Sequence, residues 1–119
     1  MREGNVQLAL DAKIAGGEDW WWTECALSAE WLGCYGDLGF NPEGLPVKPG
    51  TWHTVRIDVD PATMTFTYTV DGQVEGTFVP PNAEALKGAE FALKLGVWHN
   101  ETGGGVAGQI DEVRIGRIE

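Results

Sequence analysis

Apolar and polar residues alternate with a period of two through most of this 119-residue chain, and that alternation restricts the fold more than any other feature. In the clearest run, Met64, Phe66, Tyr68 and Val70 alternate with threonines. Successive side chains of a strand point to opposite faces of a sheet, so such a run predicts a strand with one buried face. Helical periodicity is nearly absent, and the chain is predicted to be all-β.

Turn-forming residues separate the alternating runs. The predicted strands cover residues 6–14, 20–27, 31–35, 55–59, 64–70, 73–79, 91–97 and 110–118. Between two of them, Asp71 and Gly72 predict a tight turn with positive φ at both positions. Asn82 is expected to cap one helical turn over residues 83–86, and the Gly- and Pro-rich residues 36–50 are expected to form a long loop of functional interest. Seven or eight short strands predict one antiparallel, two-sheet β-sandwich domain over residues 1–119.

The charge balance restricts the partners. Eighteen acidic and eight basic residues give a formal net charge of −10. Such a surface repels phosphate backbones and anionic lipids, so neither nucleic acid nor a membrane surface is expected as a partner. No apolar run reaches the roughly 20 residues of a membrane-spanning helix, and no signal peptide is visible after Met1. The charge is compatible with neutral sugars, bound cations or solubility alone.

The two cysteines, Cys25 and Cys34, lie in neighbouring predicted strands. They form no Cys-x-x-Cys motif and the two histidines are remote in sequence, which argues against a zinc site. Their spacing suits a disulfide across a hairpin, which would imply an oxidising compartment. Two buried thiols remain the alternative.

Pairing of Cys25 with Cys34 would also set the register of the hairpin. Alternation then places five side chains together on the face away from the cysteines: Trp20, Trp22, Glu24, Tyr35 and Asp37. Aromatic rings stack on the apolar faces of sugars and carboxylates accept hydrogen bonds from hydroxyls, so this set is typical of a carbohydrate site. The alternative is that these rings fill the space between two sheets.

Other residues are assigned by the same alternation. Three consecutive tryptophans cannot point one way, so Trp21 is expected in the core. Trp52 and Trp98 are expected in the core or at its rim. The row of Thr65, Thr67 and Thr69 is expected to extend the groove of the aromatic set, because β-branched residues suit an outward sheet surface.

Four segments resemble a known superfamily. Residues 52–60 and 66–73, and then 96–98 and 108–115, are similar to the central hairpins and closing strands of concanavalin-A-like, laminin-G-like jelly rolls. The resemblance implies a jelly-roll sandwich; its members include lectins, carbohydrate-binding modules, adhesion domains and some glycoside hydrolases. Members carry further strands before the position of Val6. The chain is therefore expected to be a fragment of a longer domain, or to complete its sheets as a homo-oligomer or with a partner strand.

The resemblance also bears on metal and catalysis. An acidic residue near the position of Asp111 helps to hold calcium in related jelly rolls, with Asp11, Asp58 and Asp60 as further candidates here. The alternative is that Asp111 anchors a neighbouring loop, and no other cofactor is expected. The Glu-x-Asp-x-(x)-Glu run of this fold's hydrolases is absent, and so are other catalytic motifs, so the chain is not expected to be an enzyme.

Together these observations predict an extracellular or cell-surface, non-catalytic carbohydrate-binding module that takes a polysaccharide or glycan. The alternative is a structural or protein-interaction β-sandwich subunit that completes its sheets through assembly. A hydrolase remnant that uses Glu24 and Asp37 is the third hypothesis. Residues 100–102 match a glycosylation sequon, a pattern too short to decide among them.

Overall fold

The structure is a computed structural model that describes residues 4–14, 19–28, 30–48 and 50–99. Its elements in chain order are β1 (Gly4–Lys13), β2 (Trp20–Leu27), β3 (Trp31–Gly36), β4 (Leu45–Pro46), β5 (Val55–Asp60), β6 (Thr65–Val70), β7 (Gln73–Phe78), α1 (Ala83–Leu86) and β8 (Glu90–His99). The predicted strand at 110–118, Asp111 and the sequon lie outside the described residues. Among those described, no helix has the length and apolar character that crossing a membrane requires.

The strands form two antiparallel sheets, which confirms the all-β prediction. The large sheet has the order β4-β3-β2-β1-β8, and the small sheet has the order β5-β6-β7. Within the large sheet, β1 lies between β2 and β8, and its residue Leu8 pairs with Cys25 on one side and Leu95 on the other. The strands β1, β2 and β3 therefore pair with their neighbours in sequence. β8, which follows the small sheet in the chain, pairs with the free edge of β1.

The two sheets pack against each other through aromatic side chains. Trp21 of β2 meets Phe66 of β6 with ring centroids 4.8 Å apart, and Phe40 stacks on Tyr68 at 4.3 Å. Trp21, Phe66 and Tyr68 are fully buried, so Trp21 lies in the core as the alternation predicted. Burial of these three rings contributes several kcal/mol at roughly 25 cal/mol per Å² of apolar surface.

One hydrogen-bonded chain crosses the core between the sheets. The Tyr68 hydroxyl lies 2.7 Å from Oγ1 of the buried Thr23, and this Thr23 hydroxyl donates to the Tyr35 carbonyl at 2.9 Å. The Thr23 hydroxyl has one proton, which it donates to the Tyr35 carbonyl. The Tyr68 hydroxyl is therefore the donor in the bond between Tyr68 and Thr23. Burial raises the pKa of Tyr68 to about 12. The pair satisfies two polar groups that would otherwise be buried without partners.

The hairpin of β2 and β3 has the register that the cysteines predicted. Cys25 and Cys34 form a disulfide and face each other across the strands, and Glu24 pairs with Tyr35. Both cysteines are buried, and Leu32 beside them is buried as well. The disulfide is compatible with an oxidising, extracellular environment. The inward face of this hairpin is therefore the core face, and the opposite face is turned outward.

Two local predictions need correction. The loop over residues 36–50 is not irregular throughout: β4 pairs with β3, and Phe40 bridges to Gly36 and enters the core. The helical turn exists at the predicted place, but the Asn82 side chain makes no capping hydrogen bond. Loop residues 40 and 45–46 thus serve packing and pairing, because a buried aromatic ring and strand hydrogen bonds stabilise the loop more than exposure would.

Candidate functional site

The outward side of the β2–β3 hairpin carries an aromatic face, which we define as Trp20, Trp22, Glu24, Trp31 and Tyr35. The burial of β2 alternates, with Trp21 and Thr23 fully buried and their neighbours turned out. The exposed fraction is 54% for Trp20 and 36% for Trp22. Two indoles thus remain accessible to a ligand, and their proximity on one face makes that face the candidate site.

The rings of the aromatic face stand at steep angles to one another. Trp22 and Tyr35 meet edge to face, with centroids 5.8 Å apart and planes at 85°. Tyr35 and Trp31 are 6.1 Å apart and inclined at 48°. Sequence reasoning missed Trp31, although its alternation with Leu32 and Cys34 places it on the same face as Tyr35. The rings of Trp22, Tyr35 and Trp31 therefore do not lie in one plane.

A carboxylate lies directly beside these rings. The Tyr35 hydroxyl donates to Oε2 of Glu24 at 2.8 Å, across the register pair that the sequence predicted. Both side chains are partly buried. A carboxylate offers about four lone-pair positions, so Glu24 can accept bonds from a ligand in addition to bonds within the protein. The hydrogen bond also fixes the orientation of the Tyr35 ring.

Asp37 lies at the edge of the aromatic face, in the turn that follows β3. Its N–H donates to the Trp22 carbonyl at 2.9 Å, and its own carbonyl accepts the indole N–H of Trp21 at 3.0 Å. Its Oδ1 accepts the N–H of Leu38 at 3.0 Å. The Asp37 carboxylate therefore stabilises its own turn, a common use of aspartate.

Trp31 is held in place by a loop. Its indole N–H donates to the Glu43 carbonyl at 2.6 Å. The ring lies against Gly44, where an added Cβ would stand 2.4 Å from Nε1. Only a glycine permits this approach, so the loop residues 43–44 act as the support of the ring. The long loop thus contributes to the site by positioning an aromatic side chain.

Charged side chains of β1 and β8 lie beside the aromatic face, on the same outward side of the large sheet. Lys13 pairs with Trp20 and Asp11 pairs with Trp22, so both side chains point outward beside the indoles. Asp11 forms an ion pair with Lys94 of β8. Surface pairs of this kind contribute little to stability. They do set the electrostatic character of the surface that borders the rings.

The threonine row does not extend the groove, which corrects the sequence prediction. Phe66 and Tyr68 point into the core, so Thr65, Thr67 and Thr69 lie on the outward side of the small sheet. The aromatic face lies on the outward side of the large sheet, and the core separates the two. Thr65 and Thr67 instead line a shallow depression of about 430 Å³ with residues 58–61.

Among the calcium candidates that the structure describes, Asp11 lies apart from Asp58 and Asp60. Asp11 points outward from the large sheet, whereas Asp58 and Asp60 point outward from the small sheet opposite Thr67 and Thr65. Asp58 accepts a hydrogen bond from Arg56 at 2.8 Å. Among the described residues, no three His, Cys, Asp or Glu side chains are grouped as metal ligands. Asp11 therefore cannot share one site with Asp58 and Asp60, because the two sheets place them on opposite sides, and Asp111 lies outside the described residues.

The sequence also predicts Trp52 and Trp98 in the core or at its rim. Trp52 precedes β5 and is 64% exposed, so of the two expected places, core or rim, the structure excludes the core. Trp98 pairs with Asn5 in the ladder between β8 and β1. Comparison of the chain with models of protein families, with curated protein sequences and with solved structures finds no match. Function must therefore be argued from the chemistry of the aromatic face.

Proposed function

We propose that the chain is a non-catalytic carbohydrate-binding module of an extracellular or cell-surface protein, with the concanavalin-A-like jelly roll as its fold family. One observation supports the proposal most: Trp20 and Trp22 are exposed on the same outward face as the Glu24 carboxylate. Apolar rings with a few placed acceptors form the usual chemistry of a sugar site.

The division of labour within the site follows from these side chains. The indole of Trp22 offers a π face to the C–H groups of a pyranose, and the rings of Trp20 and Tyr35 offer further stacking surfaces nearby. Glu24 accepts hydrogen bonds from sugar hydroxyls, which are stronger when the acceptor is charged. Asp37 adds negative potential at the edge of the site. Such a site binds and orients a glycan without breaking a bond.

Affinity electrophoresis through gels that contain polysaccharides tests this proposal. We expect retardation by at least one polysaccharide, with Trp22→Ala and Trp20→Ala each weakening binding by about tenfold, since roughly 1.4 kcal/mol corresponds to that factor. Trp52→Ala is the matched control, because Trp52 is also exposed but precedes a strand of the small sheet.

The outcome that would overturn the proposal is equally direct. If neither a glycan array nor the gels detect binding, with calcium or with a chelator, the chain is no carbohydrate-binding module. Loss of binding in Trp52→Ala but not in Trp22→Ala would remove the aromatic face as the site. Turnover of a glycan that Glu24→Gln abolishes would replace the proposal by the hydrolase hypothesis.

A second candidate function is a structural subunit that assembles with another chain. It is favoured by Phe91 and Leu95 of β8, which are 37% and 42% exposed although they belong to the core-facing side of that strand. β8 is the last strand of the large sheet among the described residues. Mass in solution by light scattering tests it: a dimer that Leu95→Lys converts to a monomer supports assembly, and a monomer in both excludes self-assembly.

A further inference from the structure

We infer that the aromatic face selects a single, neutral polysaccharide chain in solution and not the flat surface of a crystalline polysaccharide. This inference rests on the proposed function and names its substrate class. It follows from the angles between the rings, from the bonds that fix those angles, and from the charge around them.

The ring planes of the aromatic face are not parallel. Trp22 and Tyr35 are inclined at 85°, and Tyr35 and Trp31 at 48°, so Trp22 and Trp31 cannot be parallel to each other either. A ring stacks on a sugar only when the two planes lie roughly parallel. The three rings therefore cannot all stack on sugars that lie in one plane.

The two kinds of ligand differ in this respect. A crystalline face presents many pyranose rings in a single rigid plane, and only coplanar side chains can contact several of them together. A single chain in solution can rotate about its glycosidic bonds, so successive sugars can turn to meet rings at different angles. Shape complementarity therefore favours the single chain.

The angles are held by hydrogen bonds on both sides. The Tyr35 hydroxyl is bonded to Glu24 at 2.8 Å, and the Trp31 indole is bonded to the Glu43 carbonyl at 2.6 Å. Trp31 is further confined by its close approach to Gly44. Turning these rings into one plane would break both bonds, and the partly buried bond between Tyr35 and Glu24 in particular costs free energy that binding would have to supply.

The charge of the same surface decides between neutral and anionic chains. The outward positions of β1, β2 and β8, together with the adjoining Asp37, carry four carboxylates and two lysines: Asp11, Glu24, Asp37, Glu90, Lys13 and Lys94. One lysine, Lys94, is already paired with Asp11. The excess of negative charge beside the rings repels uronates and sulfated sugars and leaves neutral sugars unaffected.

The test compares three kinds of ligand with the same protein. Soluble neutral polysaccharides (hydroxyethylcellulose, mixed-linkage β-glucan, glucomannan and amylose) and the anionic polygalacturonate are cast in affinity gels. Microcrystalline cellulose and chitin are used in depletion assays. We expect retardation by at least one soluble neutral polysaccharide, at least tenfold weaker binding by polygalacturonate, and no depletion by the crystalline solids. Trp22→Ala should weaken the binding that causes the retardation by about tenfold, whereas Trp52→Ala should leave it unchanged.

The outcomes separate the inference from the function on which it rests. Depletion by a crystalline solid without retardation by any soluble polysaccharide overturns the inference and leaves carbohydrate binding intact. Tighter binding to polygalacturonate than to every neutral polysaccharide also overturns the inference alone. Binding to none of the three kinds overturns the proposed function and the inference together. Tyr35→Phe adds a check, because it frees the ring from Glu24 and should weaken soluble binding severalfold.

Discussion

At the scale of single residues, Glu75 is the side chain whose position is least expected. It is the additional residue of a β-bulge, because Tyr68 pairs with Gly76 while Thr69 pairs with Val74. Both of its carboxylate oxygens are buried, and neither makes a hydrogen bond of good geometry with a described residue. Burial raises the pKa of Glu75 above its usual 4.5, and the backbone of Cys34 opposes this only in part.

Replacing this carboxylate is predicted to stabilise the protein at neutral pH. The folded state holds the proton of Glu75 more tightly than the unfolded state, so its contribution to stability is present below about pH 4.5 and is lost as the pH rises through the raised pKa. Glu75→Gln should raise the free energy of unfolding at pH 7 by about 1 kcal/mol. Urea denaturation at pH 4 and pH 7 measures this, with the exposed Glu30→Gln as control; equal effects of both variants would contradict it.

At the scale of elements, the turn between β6 and β7 shows how local chemistry sets a hairpin. Asp71 and Gly72 have φ of 50° and 80°, as the sequence predicted. The Asp71 carboxylate also accepts the Thr54 N–H at 2.9 Å and is hydrogen bonded to His53 at 2.8 Å. The His53 bond is the main reason that the pKa of Asp71 lies below its usual value. Through these bonds, the turn between β6 and β7 also holds residues 53–54, which directly precede β5.

A methyl group at Gly72 is predicted to destabilise this hairpin by conformation alone. No heavy atom lies within 4 Å of the added Cβ, so the cost is that of the left-handed backbone, about 1 kcal/mol. Gly96→Ala in β8 is the matched control, because its Cβ also meets open space and its φ is not positive. Thermal denaturation should show a loss for Gly72→Ala and none for Gly96→Ala; similar losses would refute the conformational explanation.

At the scale of the whole molecule, the formal net charge of −10 on 119 residues acts against the compact state through self-repulsion. Raising NaCl from about 10 mM to about 150 mM shortens the Debye length from about 30 Å to about 8 Å, less than the width of the protein. The midpoint of thermal unfolding should therefore rise by a few degrees. Sucrose at matched osmolality is the control, and a midpoint that is lower in NaCl would contradict the expectation.

The division of the molecule into two outward surfaces also belongs to this scale. Alternation correctly put Trp20, Trp22 and Glu24 on one face, because these residues are neighbours on one strand. The threonines of β6 share a face for the same reason. Alternation could not show that β6 joins a different sheet from β2, and for that reason the sequence placed the threonines in the wrong groove and left open whether Asp11 could join Asp58 and Asp60.

The sequence by itself indicated every described strand except β4, the tight turn at Asp71 and Gly72, and the hairpin register that follows from pairing the two cysteines, since these depend on residues close together in the chain. Only the tertiary structure decided which sheet each strand joins, which outward surface carries the rings, and how Trp31 and Tyr35 are inclined. Those features depend on contacts between distant segments, such as Thr23 with Tyr68 and Phe40 with Tyr68. A period of two states that a strand has two faces, and packing alone selects which of them meets solvent.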